Sequence, residues 1–206
     1  DYIKLEQEYT DPLENPKLLD LVVGEISKQV VGEIDTIKVL FLCACGTFVE
    51  NATKTSYNLI VSDESGVGKD WVTSKVLEIF PKEIYIKRTR ISEKVLNYWH
   101  NPKFEPDWTW DGKIFYNEDI TENVMNSEVF KVMASTGSHA TVLVNQVPVD
   151  IEIKGKPVLI VTTASSTPSP ENLRRFNIIT LDATKRQTSR IVEKYSELAE
   201  VGINVD

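Results

Sequence analysis

Cysteine and histidine are nearly missing from this chain, with two residues of each. Cys43 and Cys45 stand one residue apart, too close for an unstrained disulfide, so no disulfide framework holds the fold. They read as small buried residues in a reducing cytosol. His100 and His139 do not make zinc-site spacing with them. Proline and glycine, at nine each, are too few for a collagen-like or low-complexity chain. No apolar run approaches the roughly 18 residues that a membrane crossing needs. The opening residues Asp1, Tyr2, Ile3 and Lys4 do not form a signal peptide. Basic charge is in deficit: 23 Lys and Arg face 31 Asp and Glu, for a net charge of -8. That excludes a protein coating nucleic acid with its whole surface, and leaves room for a local basic track.

What is present suits one domain. The 206 residues are 41% hydrophobic and 26% charged, enough apolar material for a packed core. The acidic opening and abrupt ending read as those of a piece of a longer protein. Apolar residues recur at helical spacing from Lys17 to Val31, and again from Glu33 to about Glu50, with Gly32 as the break. Residues 1–50 are therefore expected to form a helical lead-in or small helical subdomain, and 51–206 the core. Past Asn51, strand-like runs cover Tyr57 to Ser62, Ile84 to Lys87, Lys113 to Tyr116, Val158 to Thr162 and Ile178 to Leu181. Between them lie helix candidates: Lys69 to Phe80, Ser92 to His100, Asn123 to Ser135 and Pro170 to Arg175. This alternation predicts an α/β domain with a mostly parallel sheet flanked by helices. Thr141 to Val144 and Val149 to Ile153 flank Asn145, Gln146, Val147 and Pro148, and predict a β-hairpin inserted before the strand at Val158.

The strongest motif follows the first of these strands. Asp63, Glu64, Ser65, Gly66, Val67, Gly68, Lys69, Asp70 and Trp71 lead from strand into helix, the context of a phosphate-binding P-loop. Gly66 and Gly68 let the backbone wrap a phosphate, and the loop N–H groups with the helix N-terminus offer positive partial charge. Lys69 is placed to reach the outer phosphates. The residues from Glu64 to Trp71 are the candidate ATP site. Two positions depart from the usual pattern. Asp63 stands where the first glycine belongs, and Asp70 replaces the Ser or Thr that binds magnesium. A carboxylate is also a hard oxygen ligand for Mg2+, and an Asp there also caps a helix start.

A P-loop needs an acidic partner at a neighbouring strand end. The run Ile114, Phe115, Tyr116, Asn117, Glu118, Asp119 supplies one. Glu118 is favoured as the general base toward water and Asp119 as a partner in the metal shell. Asp70, Glu118 and Asp119 are the candidate Mg2+ ligands. The alternative is an acidic strand-to-helix turn with Asp119 or Thr121 as a cap.

Together these pieces resemble the superfamily 3 branch of AAA+ ATPases, replicative helicase domains of viruses, phages and plasmids that are often fused to a primase. The segments carrying the resemblance are DESGVGKD, WTWDGKIFYNEDI, KVMASTG, GKPVLIVTTAS and NLRRF, across residues 17–190. The resemblance implies a P-loop NTPase of AAA+ type, a hexameric ring of identical chains, single-stranded DNA as partner, an associated primase, and a cytoplasmic location in a prokaryotic host. It implies a polar sensor at the end of the strand after the hairpin. The usual Asn corresponds to Ala164, so Thr162 or Thr163 has to take that role, with Thr163 carried as the site residue. It implies an arginine reaching the neighbouring subunit's phosphates, which falls on Arg174 or Arg175. It makes the hairpin a DNA-contacting loop, with Asn145, Gln146, Lys154 and Lys156 as candidate contacts, although the tip lacks the usual Lys or aromatic.

A second basic stretch, Lys87, Arg88, Arg90, Lys94 and Lys103 with Tyr98 and Trp99, has the composition of a single-strand track. Its plainer reading is a solvated face with core aromatics. Trp108 and Trp110 are expected to pack under the sheet edge. Two other functions fit the same residues: a loader-type ATPase acting on a protein partner, and a nucleotide-binding module that has lost turnover.

Overall fold

A computed structural model describes residues 15–49, 57–64, 66–99, 105–135, 138–144, 146–164 and 169–200. Five parallel strands form the central sheet: β1 (Leu59–Ser62), β2 (Tyr85–Arg88), β3 (Ile114–Asn117), β6 (Val158–Thr163) and β7 (Asn177–Ile179), in the order β2-β3-β6-β1-β7. The remaining strands, β4 (Ser138–Val144) and β5 (Val147–Ile153), form a separate antiparallel hairpin. The α-helices are α1 (Leu18–Ile26), α2 (Ile34–Cys45), α3 (Lys69–Leu77), α4 (Glu122–Asn126), α5 (Glu128–Met133) and α6 (Lys185–Glu200).

Alternation along the strands builds the layers. Successive side chains of a strand point to opposite faces. Leu59 and Val61, Ile114 and Tyr116, Val158 and Ile160 join one core with α1, α2 and α3. Ile60, Phe115, Leu159 and Val161 join a second core with α4 and α5. Strands buried on both faces read as continuous apolar runs, and burying each large side chain contributes roughly 1.5–3 kcal/mol. Val23, Ile26, Ile37 and Leu40 lie in the first core beside Leu59 and Leu77, so the helices of residues 15–49 pack directly on the sheet.

Several segments differ from the expectation. The helix expected from Asn123 to Ser135 is two helices. Ser127 takes an extended backbone and its hydroxyl accepts from the Phe130 N–H at 3.4 Å, capping α5. The helices expected at Ser92 to His100 and Pro170 to Arg175 are only 3-10 turns, Val95–Tyr98 and Asn172–Arg174. The hairpin register pairs Val144 with Val147, so the tip is a two-residue turn in place of a four-residue loop. Gln146 has φ 66°, as such turns require. The 16-residue α6 follows β7.

Among the described residues no helix is long and apolar enough to cross a membrane.

Candidate nucleotide site

All five sheet strands are parallel, so their C-terminal ends share one edge, where open α/β sheets bind ligands. The loop after β1, the acidic turn after β3 and the threonines ending β6 meet there. Gly66 and Gly68 adopt φ 91° and 85°. Beyond the adjacent residues, no atom of the described residues lies within 4 Å of where either would carry a Cβ. A side chain would fill that open space, and its absence leaves the backbone free for a phosphate. Lys69 is buried as the first residue of α3, where the helix N-terminus adds positive partial charge. The residues from Gly66 to Lys69 thus fit a phosphate group.

Asp63 does structural work. Its carboxylate accepts the N–H of Glu64 at 2.8 Å and of Leu181 at 3.0 Å, tying the loop to the segment after β7. Glu64 is exposed, and Ser65 lies outside the described residues. Val67 and Trp71 line a cavity of about 230 Å3 against the loop, closed by Val30 and Val31 of the α1–α2 turn and by Ile191 and Tyr195 of α6. The Trp71 indole donates to the Gln29 carbonyl at 3.3 Å. Gln29, Glu33, Asp182 and Gln187 also line this slot, which escaped sequence reasoning because three distant segments build it.

Asp70 sits in the first turn of α3. Its carboxylate accepts from the hydroxyls of Thr162 and Tyr116, the latter at 3.3 Å. Burial, then the charge of Asp70, pushes the Tyr116 hydroxyl well above its ordinary value of 10.0, so it remains a donor. Thr162 also accepts the Asp119 N–H at 2.8 Å. This buried threonine therefore joins the P-loop helix to the acidic turn. Thr163 is buried beside it, and its carbonyl accepts from the Asp63 N–H at 3.4 Å. Of the two threonines, Thr162 is the one bonded to both Asp70 and Asp119. Ala164 is exposed.

Asp119 takes φ 47°, turning the chain sharply after β3. Glu118 points elsewhere. Its carboxylate pairs with the Lys87 ammonium at 2.5 Å and accepts from Thr89 at 3.1 Å and Ser74 at 3.5 Å. Lys87, read from sequence as part of a nucleic-acid track, is thus turned to the acidic strand end. Asp70, Glu118 and Asp119 do not gather into one ligand set. Among the described residues no group of three His, Cys, Asp or Glu forms a metal site. Nucleotide-bound Mg2+ needs only one or two protein carboxylates beside phosphate and water, and Asp70, at the first turn of α3, fits that smaller demand.

The expected arginines and hairpin contacts lie elsewhere. The Asn172–Arg174 turn precedes β7, and the Arg175 carbonyl accepts from Asn58 at 3.1 Å, at the start of β1. Both arginines are therefore at the sheet edge opposite the P-loop of their own chain. Arg175 is held by Glu171 at 3.1 Å and Ser135 at 2.9 Å. Arg174 is exposed and has no ion pair among the described residues. The hairpin enters β6 at that same far edge. Lys156 is only 7% exposed, and burial lowers its pKa, so it is not presented to a nucleic acid. Lys154 is exposed but its ammonium donates to the Pro106 carbonyl at 3.0 Å. Gln146 is exposed at the tip, and Asn145 lies outside the described residues. Leu143 and Val147, 73% and 59% exposed, make the tip apolar.

The tryptophans follow the plainer reading, whereas Tyr98 is exposed. Trp99 packs on Trp110 and Phe115, with ring centroids 5.1 and 5.5 Å away, and Trp108 packs on Trp110. Arg88 covers Trp99 at 4.9 Å. Lys103 lies outside the described residues.

A parallel sheet with this glycine loop between β1 and α3 defines a P-loop domain, a fold suited to binding nucleotides. The chain belongs to the family described as MTBMA_p00010 P-loop domain, whose sequence profile matches residues 5–206. No curated protein matches it.

Proposed function

We propose that the chain is a Mg2+-dependent ATP hydrolase and the motor domain of a ring-forming replicative DNA helicase. One observation carries the nucleotide reading: Lys69 and the open glycine backbone share a sheet edge with Asp70, Thr162 and the Glu118–Asp119 turn. The loop from Glu64 to Lys69 binds the phosphates. The slot beside Trp71 takes the nucleoside. Glu118 accepts the proton of the attacking water once it leaves Lys87. Asp70 would hold Mg2+ beside the phosphates, with Asp119 as a partner to its water shell, and the ion would offset charge on the phosphate oxygens. Arg174, exposed at the far edge, serves a neighbouring copy's site, while Arg175 is held within its own chain. The six residues of β6 span about 20 Å between the hairpin exit and Thr162–Thr163, linking the site to the hairpin.

The helicase part rests on the resemblance of the five sequence segments and on the hairpin's placement. Single-stranded DNA is the proposed partner and a hexamer of this chain the proposed assembly, with a fused or associated primase. The apolar hairpin tip supports a second reading, an ATPase that acts on a protein partner, because it offers no phosphate-neutralising charge.

Lys69→Ala is expected to abolish ATP binding, and Glu118→Gln to keep binding while stopping hydrolysis. Normal turnover by Glu118→Gln would remove the base assignment. ATPase stimulation by single-stranded DNA, weakening with salt, supports the motor. No response to DNA alongside ordinary basal hydrolysis favours the protein partner.

A further inference from the structure

The one buried residue of α6 is polar. Gln187 is 3% exposed, and its amide donates to the Val31 carbonyl at 2.5 Å. Burying an amide is unfavourable unless it is hydrogen-bonded, so this contact has to be kept while α6 is docked. The turn is shaped to receive it. Gly32 has φ +70°, and a Cβ there would fall 2.6 Å from the Gln187 amide nitrogen. The next residue, Glu33, also has positive φ, 56°. Its carboxylate accepts the Asp182 N–H at 2.8 Å, just before α6, and the Thr36 hydroxyl at 2.9 Å. Two polar contacts thus join the α1–α2 turn to the entry and first turn of α6. Thr184 fixes the register by accepting the Gln187 N–H at 3.3 Å. Apolar burial adds little, since Val192 and Tyr195 are exposed.

These contacts close the slot that Val31, Trp71, Ile191 and Tyr195 line beside the P-loop. We propose that Gln187, with Glu33, is a positioning residue for the nucleoside half of the ligand: it latches α6 onto the α1–α2 turn and so sets the wall against which the base rests. This rests on the nucleotide reading above. The phosphates are held by the loop and Lys69, and among the described residues neither Gln187 nor Glu33 hydrogen-bonds to that loop or to Lys69. Losing the latch therefore weakens ligands that carry a nucleoside and spares those that do not.

The test is calorimetric titration of the full chain with Mg-ATP and, separately, with magnesium tripolyphosphate. Gln187→Ala and Gln187→Glu are compared with the parent. Glu keeps the length and replaces the donor by a carboxylate facing a carbonyl. The expected result is about a tenfold loss of ATP affinity, the worth of one buried hydrogen bond, with tripolyphosphate affinity unchanged. Hydrogen exchange in α6 should slow with ATP in the parent, but less in the variants. Gly32→Ala, a lesion from the other side of the same contact, should reproduce the split, with melting curves confirming that each variant is folded. Equal loss of both ligands, or no loss of either, overturns the latch. Failure of the parent to bind ATP and tripolyphosphate alike overturns the nucleotide reading itself.

Discussion

The Lys87–Glu118 ion pair makes a quantitative demand on the proposed reaction. Glu118 takes a proton from water only when its carboxylate is free, and here it lies 2.5 Å from an ammonium. Two unit charges at that distance attract by about 7 kcal/mol at an effective dielectric of 20. Solvent reduces this, because the Lys87 and Glu118 side chains are 38% and 17% exposed. Exposed pairs contribute about 0–1 kcal/mol and hydrogen bonds to charged groups about 1.5–3 kcal/mol. A net restraint of about 1.5 kcal/mol holds roughly nine of ten carboxylates in the pair, by the rule that 1.4 kcal/mol is tenfold.

Lys87→Met keeps an aliphatic side chain and removes the ammonium that pairs with Glu118 and lies 5.7 Å from the Tyr116 ring. The expected outcome is an up to tenfold rise in the single-turnover rate of ATP hydrolysis, with ATP affinity and melting temperature little changed. Lys87→Met combined with Glu118→Gln should be as inactive as Glu118→Gln alone. A Lys87→Met rate equal to or below that of the parent, with binding intact, would refute the restraint. It would make Lys87 either a bystander or a direct contributor to the reaction.

Two further outcomes follow from the hydrogen-bond network and the far edge. Thr162→Val deletes the acceptor of the Asp119 N–H and a donor to Asp70, and should cost about 1–3 kcal/mol in denaturant unfolding while slowing turnover. Unchanged stability and rate would show that the two elements are not joined through this hydroxyl. Glu171 is hydrogen-bonded by Lys131 at 2.8 Å and faces Arg175, which lowers its pKa below 4.5. Its stabilising contribution is therefore complete above pH 4.5 and is lost as pH falls through the lowered value. Glu171→Gln should flatten the acid limb of the melting temperature against pH, and parallel curves for parent and variant would count against the linkage.

The strands were readable because apolar runs such as Leu59 to Val61 and Val158 to Val161 are buried on both faces, which leaves a continuous hydrophobic signature. The phosphate loop was readable because Gly66 and Gly68 are needed for their backbone angles. Helix lengths were less so. Ser127 interrupts a continuous apolar periodicity by capping one helix from its own side chain, a choice that composition does not reveal. The helix α6 had a readable stripe in Gln187, Ile191, Tyr195 and Leu198, but its one buried member is a glutamine, which a search for apolar faces passes over. Side-chain roles were hardest. Lys87 and Lys156 both looked like surface cations. One turned inward to Glu118 and the other was covered by the fold.

The two aspartates that break the phosphate-loop pattern have different explanations, and neither removes the loop. Positive φ strongly favours glycine, and among the described residues of the loop only Gly66 and Gly68 adopt it. Asp63 does not, so a side chain is tolerated there, and its carboxylate anchors both Glu64 and Leu181. Asp70 meets a different demand. Two hydroxyls, from Thr162 on β6 and Tyr116 on β3, converge on the first turn of α3, and both donate. An ionised carboxylate accepts several hydrogen bonds and donates none, whereas a serine or threonine in its place would bring a further O–H that needs its own acceptor. The carboxylate thus joins three elements that must stay in register around the site: the P-loop helix, the strand that leads to Glu118 and the strand that carries Thr162. With its anionic oxygens at the helix N-terminus, it also remains a suitable hard ligand for a divalent cation beside the phosphates.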